Sequence, residues 1–279
     1  MSIFDCLEPI RNGGFSMVEI CSSPGHLNFH DLDTVAQAAR LLKDLGLEAY
    51  SFHAPFIDVD ISSLDDQHRK YSLDQLLIAA EAAATMEVRH FVIHPGPDKT
   101  LSFSVEERMQ RLRNAAEVLN VVANKCQQLR VGLVLENMLP HLPFGSSSDM
   151  LWIIGAMDSL YITTCLDTGH ATLSGDIYQI LYKLSGHLQV IHANDNYGTS
   201  DDHLPPGTGI IDWYRLLYEL SETNFRGGII LELSGAHGKD IEGTLQKARN
   251  AQLYLRSIAR SLYLSSPPSV DVAGCKNKS

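Results

Sequence analysis

The segment MVEICSSPGHLNFHDLDTVAQAARLLKDLGLEAYSFH, Met17 to His53, holds one complete repeat of the pattern that runs through this chain. MVEIC at its start is a short apolar run of the kind that forms a strand. Residues 31–45 then switch to a helical period, with Val35, Ala38, Ala39, Leu42 and Leu45 on one face. Gly46 is placed to end that helix, because glycine takes the left-handed turn at little steric cost. The segment closes on a second apolar run, 49–53, which ends in His53.

The same alternation continues. Apolar runs at 90–94, 131–136, 162–167, 188–192 and 228–232 read as strands. Amphipathic stretches at 66–86, 149–157, 176–184, 213–220 and 241–262 read as helices. Another helix opens with Ser104 and Glu107, at capping-box spacing, and runs on through Leu112, Ala116, Leu119 and Cys126. Wholly apolar strands separated by helices predict a parallel sheet covered by helices. At 279 residues the leading architecture is an α/β (β/α)8 TIM barrel, with an open doubly wound sheet as the alternative. No glycine-rich phosphate fingerprint follows the first strand, which argues against a nucleotide-binding version. Seven strands are readable rather than eight. Residues 1–16 offer a helix and no strand, so the barrel reads as lacking a regular first strand. Residues 1–264 are expected to form one domain, and 265–279 (SSPPSVDVAGCKNKS) a disordered tail.

Composition narrows the function classes. Hydrophobic residues make up 44% and charged residues 20%, as expected of a soluble globular chain. MSIFDCLEPIRNGG has neither the basic start nor the apolar run of a signal peptide, and no stretch is long enough to span a bilayer. The expectation is a cytoplasmic protein without membrane partners. Cys6, Cys21, Cys126, Cys165 and Cys275 are scattered and form no CxxC pair, which opposes both a disulfide framework and a thiolate zinc site. A net charge of -11 argues against a general nucleic-acid binder.

The chemistry concentrates at the ends of strands, which in a parallel barrel share one mouth. AYSFH ends in His53, HFVIH in His94, GLVLE in Glu136, ITTCLD in Asp167, LQVIH in His192 and GIILE in Glu232. Any one of these could be a loop anchor. Six in succession would crowd three imidazoles and three carboxylates at a cost that a divalent cation removes. Nitrogen and oxygen ligands together suit zinc or manganese. His170 follows Asp167 by three residues, and Asp201 and His203 lie in the loop after the strand that ends in His192. Read as loop residues on the same mouth, these three form a second His-Asp-His set; spacing leaves open whether Asp201 or Asp202 points inward.

SFHAPF, FVIHPG, LVLEN, CLDTGHA, VIHAND, DDHLPPGTG and IILEL, taken in order, resemble the motifs of the xylose isomerase-like TIM-barrel superfamily. The resemblance covers about residues 17–259 and implies two alternatives. In the sugar isomerase and epimerase branch, Glu136, Asp167, His192 and Glu232 would hold one divalent metal. Glu136 and Glu232 would then be the catalytic acid/base pair, moving a proton through a metal-stabilised enediolate. In the endonuclease IV branch, an apurinic endonuclease-like phosphoesterase, three zinc ions would share the site. His53, His94 and Glu136 would hold one, the set just named a second, and His170, Asp201 and His203 the third, with Asp201 as the inward acid.

Departures bear on both branches. Ketose 3-epimerases carry an arginine in the loop after the penultimate strand, and NDNYGTSDDHLPPG has none. The loops HAPFIDVD and HPGPDKTLS are poor in basic residues and unlike DNA-gripping segments. The expectation is therefore a metal-dependent isomerase or epimerase of a sugar or sugar phosphate, with one to three zinc or manganese ions. The multinuclear phosphoesterase is the alternative, and a barrel that has become a binding module is a third class. Substrate, native metal and oligomeric state, homo-oligomer included, stay open.

Overall fold

The computed structural model describes residues 1–234 and 240–265. Helix α1 (Ile3–Asn12) precedes β1 (Met17–Cys21), and α2 (Leu32–Leu45) leads to β2 (Glu48–His53). Then come α3 (Asp66–Thr85) and β3 (His90–Ile93), α4 (Val105–Leu129) and β4 (Gly132–Glu136), and α5 (Ser147–Ala156) and β5 (Ile162–Asp167). Helices α6 (Thr168–Leu173) and α7 (Ile177–Leu184) precede β6 (Leu188–Ala193); α8 (Trp213–Glu222), β7 (Gly228–Leu231) and α9 (Ile241–Ser265) complete the order. The tail expected over 265–279 lies outside the described residues, apart from Ser265 at the end of α9.

Local chemistry starts and stops these elements where the sequence suggests. Asp31, Asp65, Ser104, Ser146, Asp176 and Asp212 each accept backbone N–H groups at a helix start. Gly46 ends α2 in the left-handed region, with φ 62. Helix α6 is a correction. Its place just past the strand predicts a loop for His170, but it lies on this six-residue helix, which the Asp167 carboxylate itself caps. A single turn is too short to show an apolar period, so only the cap could have announced it.

The seven strands pair in sequence order, each parallel to the next. This is a TIM-barrel sheet of seven strands; among the described residues no pairing joins β7 to β1. Helix α1 packs against both α2 and α9, so the outer layer continues across that position. Ile3 and Leu7 are its buried residues.

One interior ring explains where the site falls. Tyr50, Val92, Val134, Cys165, Val190 and Ile230, one from each of β2 to β7, form an apolar cluster against which Met17 of β1 packs. Side chains alternate across a strand, so the residue two places on faces the same interior one layer higher. Those residues are Glu19, His94, Glu136, Asp167, His192 and Glu232. In β2 the count differs, because Val18 pairs with Ala49 and Glu19 with Ser51, which leaves Tyr50 as an extra residue. The Tyr50 hydroxyl donates to the Gln189 carbonyl at 3.3 Å and its ring lies against Gly228, where a Cβ would come within 2.5 Å of it. Among the described residues, no helix is long and apolar enough to cross a membrane.

Candidate metal centre

The upper layer brings the strand-end residues into contact. Glu136 lies at its centre, 1% exposed, and its two oxygens face different histidines. Oε2 is 3.3 Å from His53 Nε2 and 3.7 Å from His94 Nε2. Oε1 is 3.2 Å from His192 Nδ1 and 3.9 Å from His170 Nδ1. Glu232, just past β7, places Oε2 at 3.2 Å from the same His192 Nδ1. Asp167 has both oxygens engaged: Oδ1 accepts the His170 N–H at 2.7 Å and Oδ2 accepts Asn194 Nδ2 at 2.7 Å.

The second set stands at the rim. Asp201 Oδ2 lies 3.0 Å from His203 Nε2 and 3.4 Å from His170 Nε2. Asp202 turns away and accepts from the Tyr197 N–H and the Ser200 hydroxyl. His203 holds a left-handed backbone conformation, φ 46, which few non-glycine residues adopt. Its loop is tied down by an antiparallel bridge between Asp195 and Leu204. The buried Asp195 carboxylate accepts from Trp213 Nε1 and from the backbone N–H groups of Gly207 and Ile211.

Charge separates these groups. Burial acts to lower the His53 pKa, but the hydrogen bond and charge of Glu136 outweigh it and raise the value to about 10. Burial is likewise overcome at His170, raised to about 10 chiefly by Asp167, and at His203, raised to about 9 by Asp201. His192 is also raised, against burial, by the anionic groups around it. His94 goes the other way: burial dominates and lowers it to about 3, which leaves a neutral imidazole, the form that binds metal. Among the acids, burial raises Asp167 to about 6. Glu232 falls to about 2 because His192 overcomes burial. Glu136 and Asp201 are also lowered against burial by their histidine partners.

The donors fit a divalent cation. Four groups have ligand atoms within 4.8 Å of one another: His53, His94 and Glu136; Glu136, Asp167, His192 and Glu232; His170, Asp201 and His203; and Glu136, Cys165 and His192. Burial drives the Cys165 thiol upward, which holds it protonated and makes it the weakest donor of these. Buried Asp201 Oδ1 and His94 Nδ1 have no hydrogen-bond partner, and Glu136 Oε2 and Glu232 Oε2 have only the poorly aligned approaches of His53 Nε2 at 3.3 Å and His192 Nδ1 at 3.2 Å. Unpaired buried acceptors of this kind are costly unless a cation meets them.

The sequence reading passed over three neighbours. Asn137 accepts the Asp167 N–H and donates to its carbonyl. Phe56 sets its ring 5.5 Å from those of both His53 and His94. Glu19 in β1 reaches His192 Nε2 at 3.0 Å. Its signal was present: a carboxylate in the middle of the otherwise apolar run MVEIC, two places beyond the inward Met17.

Residues 7–258 match the family described as xylose isomerase-like TIM barrel. An uncharacterized protein of Methanocaldococcus jannaschii is 31% identical over 175 residues, which cover 63% of this chain and 67% of that relative. Among solved structures, a D-tagatose 3-epimerase-like protein superposes with a TM-score of 0.79 at 23% identity, covering 90% of each chain. The IOLI protein with a bound zinc atom superposes with a TM-score of 0.77 at 18% identity, covering 90% of this chain and 91% of that one. At these identities the two structures show a shared fold.

Proposed function

This chain belongs to the xylose isomerase-like TIM-barrel family, and on that premise we propose that it is a divalent-metal-dependent isomerase or epimerase of a sugar or sugar phosphate. The observation that carries the proposal is the convergence of Glu136, Asp167, His192 and Glu232, whose ligand atoms lie within 4.8 Å of one another at the mouth of the barrel. These four would hold one zinc or manganese ion. A cation there supplies a Lewis acid that polarises a substrate carbonyl and acidifies the neighbouring C–H.

The protein's own groups supply the rest. Glu232 is ionised at neutral pH and its side chain is 35% exposed, so it can meet a substrate entering from the mouth and take up a proton. Glu136, ionised and the deep member of the pair, would take a proton from a substrate hydroxyl or solvent and deliver it to carbon, while Glu232 passes its proton on to solvent, so that each carboxylate ends as it began. The Phe56 ring packs 5.5 Å from the His53 and His94 rings and lines that edge of the site. The D-tagatose 3-epimerase-like neighbour is in keeping with a sugar substrate.

A second reading has its own observation. Glu136 turns its other oxygen toward His53 and His94, and Asp201 stands between His170 and His203, which supports a multinuclear zinc phosphoesterase. Elemental analysis of protein purified without chelator, with His203→Ala alongside, separates the two. About one metal per chain, unchanged in the variant, favours the isomerase. Two or three, with one lost in the variant, favours the phosphoesterase. Incorporation of solvent deuterium at carbon across a panel of ketoses, aldoses and their phosphates is the direct test. No incorporation, together with hydrolysis of bis(p-nitrophenyl) phosphate, overturns the first proposal.

A further inference from the structure

We infer that Glu19 is a positioning residue for the proposed metal centre: it accepts the Nε2 proton of His192 and so holds that ring with Nδ1 toward Glu136 and Glu232. The inference rests on the reading that this centre binds a divalent cation, and goes beyond it by assigning a role to a residue outside the ligand set.

The geometry carries it. His192 is fully buried and its two ring nitrogens meet opposite sides of the site. Nδ1 faces Glu136 Oε1 and Glu232 Oε2, each at 3.2 Å, while Nε2 meets Glu19 Oε2 at 3.0 Å. The Ser51 hydroxyl donates to that same Glu19 oxygen at 2.6 Å and so pins the carboxylate. Ser51 can reach it because the β1–β2 register pairs the two residues.

Glu19 belongs to none of the four groups of converging donors, so it is not placed as a ligand. A neutral imidazole binds metal through one nitrogen and carries its proton on the other, and the acceptor of that proton decides which nitrogen is which. For a ring with no access to solvent, the acceptor must come from the protein. Glu19 is the group in place, and its negative charge makes the ring a stronger donor to a cation than a neutral acceptor would. Glu19 on β1 thus supplies the group that orients a ligand on β6, five places along the sheet order.

The test uses the full chain, labelled with 15N-histidine and loaded with cadmium-113. The expected spectrum shows one-bond coupling between cadmium and His192 Nδ1, with the proton kept on Nε2. Zinc affinity is then measured by competition with a chromophoric chelator. Glu19→Ala should weaken binding by about 10- to 100-fold. Glu19→Gln, which keeps an acceptor but loses the charge, should restore part of that loss, which a purely structural role would not predict. Coupling through Nε2, or an alanine variant that binds zinc within about twofold of wild type, overturns the assignment while leaving the metal reading intact. If the alanine variant does not fold, the wild-type coupling decides alone. A wild-type chain that takes up neither ion overturns the metal reading and this inference together.

Discussion

Metal binding at this centre should displace protons, and their number reports which sets are filled. In the metal-free protein His53 and His170 are raised to about 10 and His203 to about 9, so these three carry a proton on each nitrogen at pH 7.5, and His192, with carboxylates 3.0 Å from Nε2 and 3.2 Å from Nδ1, is held toward the same state. His94, lowered to about 3, is already neutral, and Asp167, at about 6, is almost wholly ionised. A cation held by Glu136, Asp167, His192 and Glu232 must therefore release about one proton, from His192. Filling the other two sets as well displaces protons from His53, His170 and His203, which brings the release to about four. Titration calorimetry of zinc into chelator-treated protein, in two buffers of different ionisation enthalpy, measures the count directly. The sign follows from the raised values: affinity rises with pH by about tenfold per unit for each proton displaced, and the release fades as pH passes through 9 to 10. Zinc binding at pH 7.5 with no proton release would show that these histidines are neutral without metal, and would refute the charge pairing derived from their distances.

Three further outcomes are expected. Glu232→Gln should keep the fold and the circular dichroism spectrum while lowering turnover, or solvent-deuterium incorporation, by about 10²- to 10⁴-fold; unchanged exchange would remove Glu232 from the acid/base pair. Asp195→Ala strips the acceptor from Trp213 Nε1 and from the Gly207 and Ile211 N–H groups, and should cost about 3 kcal/mol in denaturant unfolding, with weakened metal binding at His203. Gly228→Ala would drive a methyl group to within 2.5 Å of the Tyr50 ring and should cost about 1 to 3 kcal/mol. That cost should shrink in a Tyr50→Leu background, and additive costs would show that Tyr50 does not fill the space above Gly228.

Most of the architecture was legible because it depends on local pattern. Strand runs such as ITTCLD and LQVIH, and the helical period after Asp31, need only neighbours in sequence to be recognised. The strand-end rule found His53, His94, Glu136, Asp167, His192 and Glu232 because a parallel barrel sends every such end to one mouth. Glu19 escaped that rule, since it lies in the middle of its strand and enters the site from the side. Helix α6 escaped as well, because one capped turn leaves no periodic trace.

The chain alone therefore determined the strand-helix alternation apart from α6, the parallel sheet, the seven-strand count and which strand-end residues to propose as donors, since alternation and spacing are properties of the linear sequence. Only the tertiary structure decided which atoms of those donors meet. It turned one oxygen of Glu136 to His53 and His94 and the other to His192, and it set Asp201, the acid to which the resemblance pointed, against the rim histidines. It also brought Glu19 of β1 across the barrel to His192 of β6. The reason is physical: which lone pair meets which nitrogen, and which histidine carries a proton, depends on distances of 3 to 4 Å between residues far apart in the chain and on the burial that strengthens each charge.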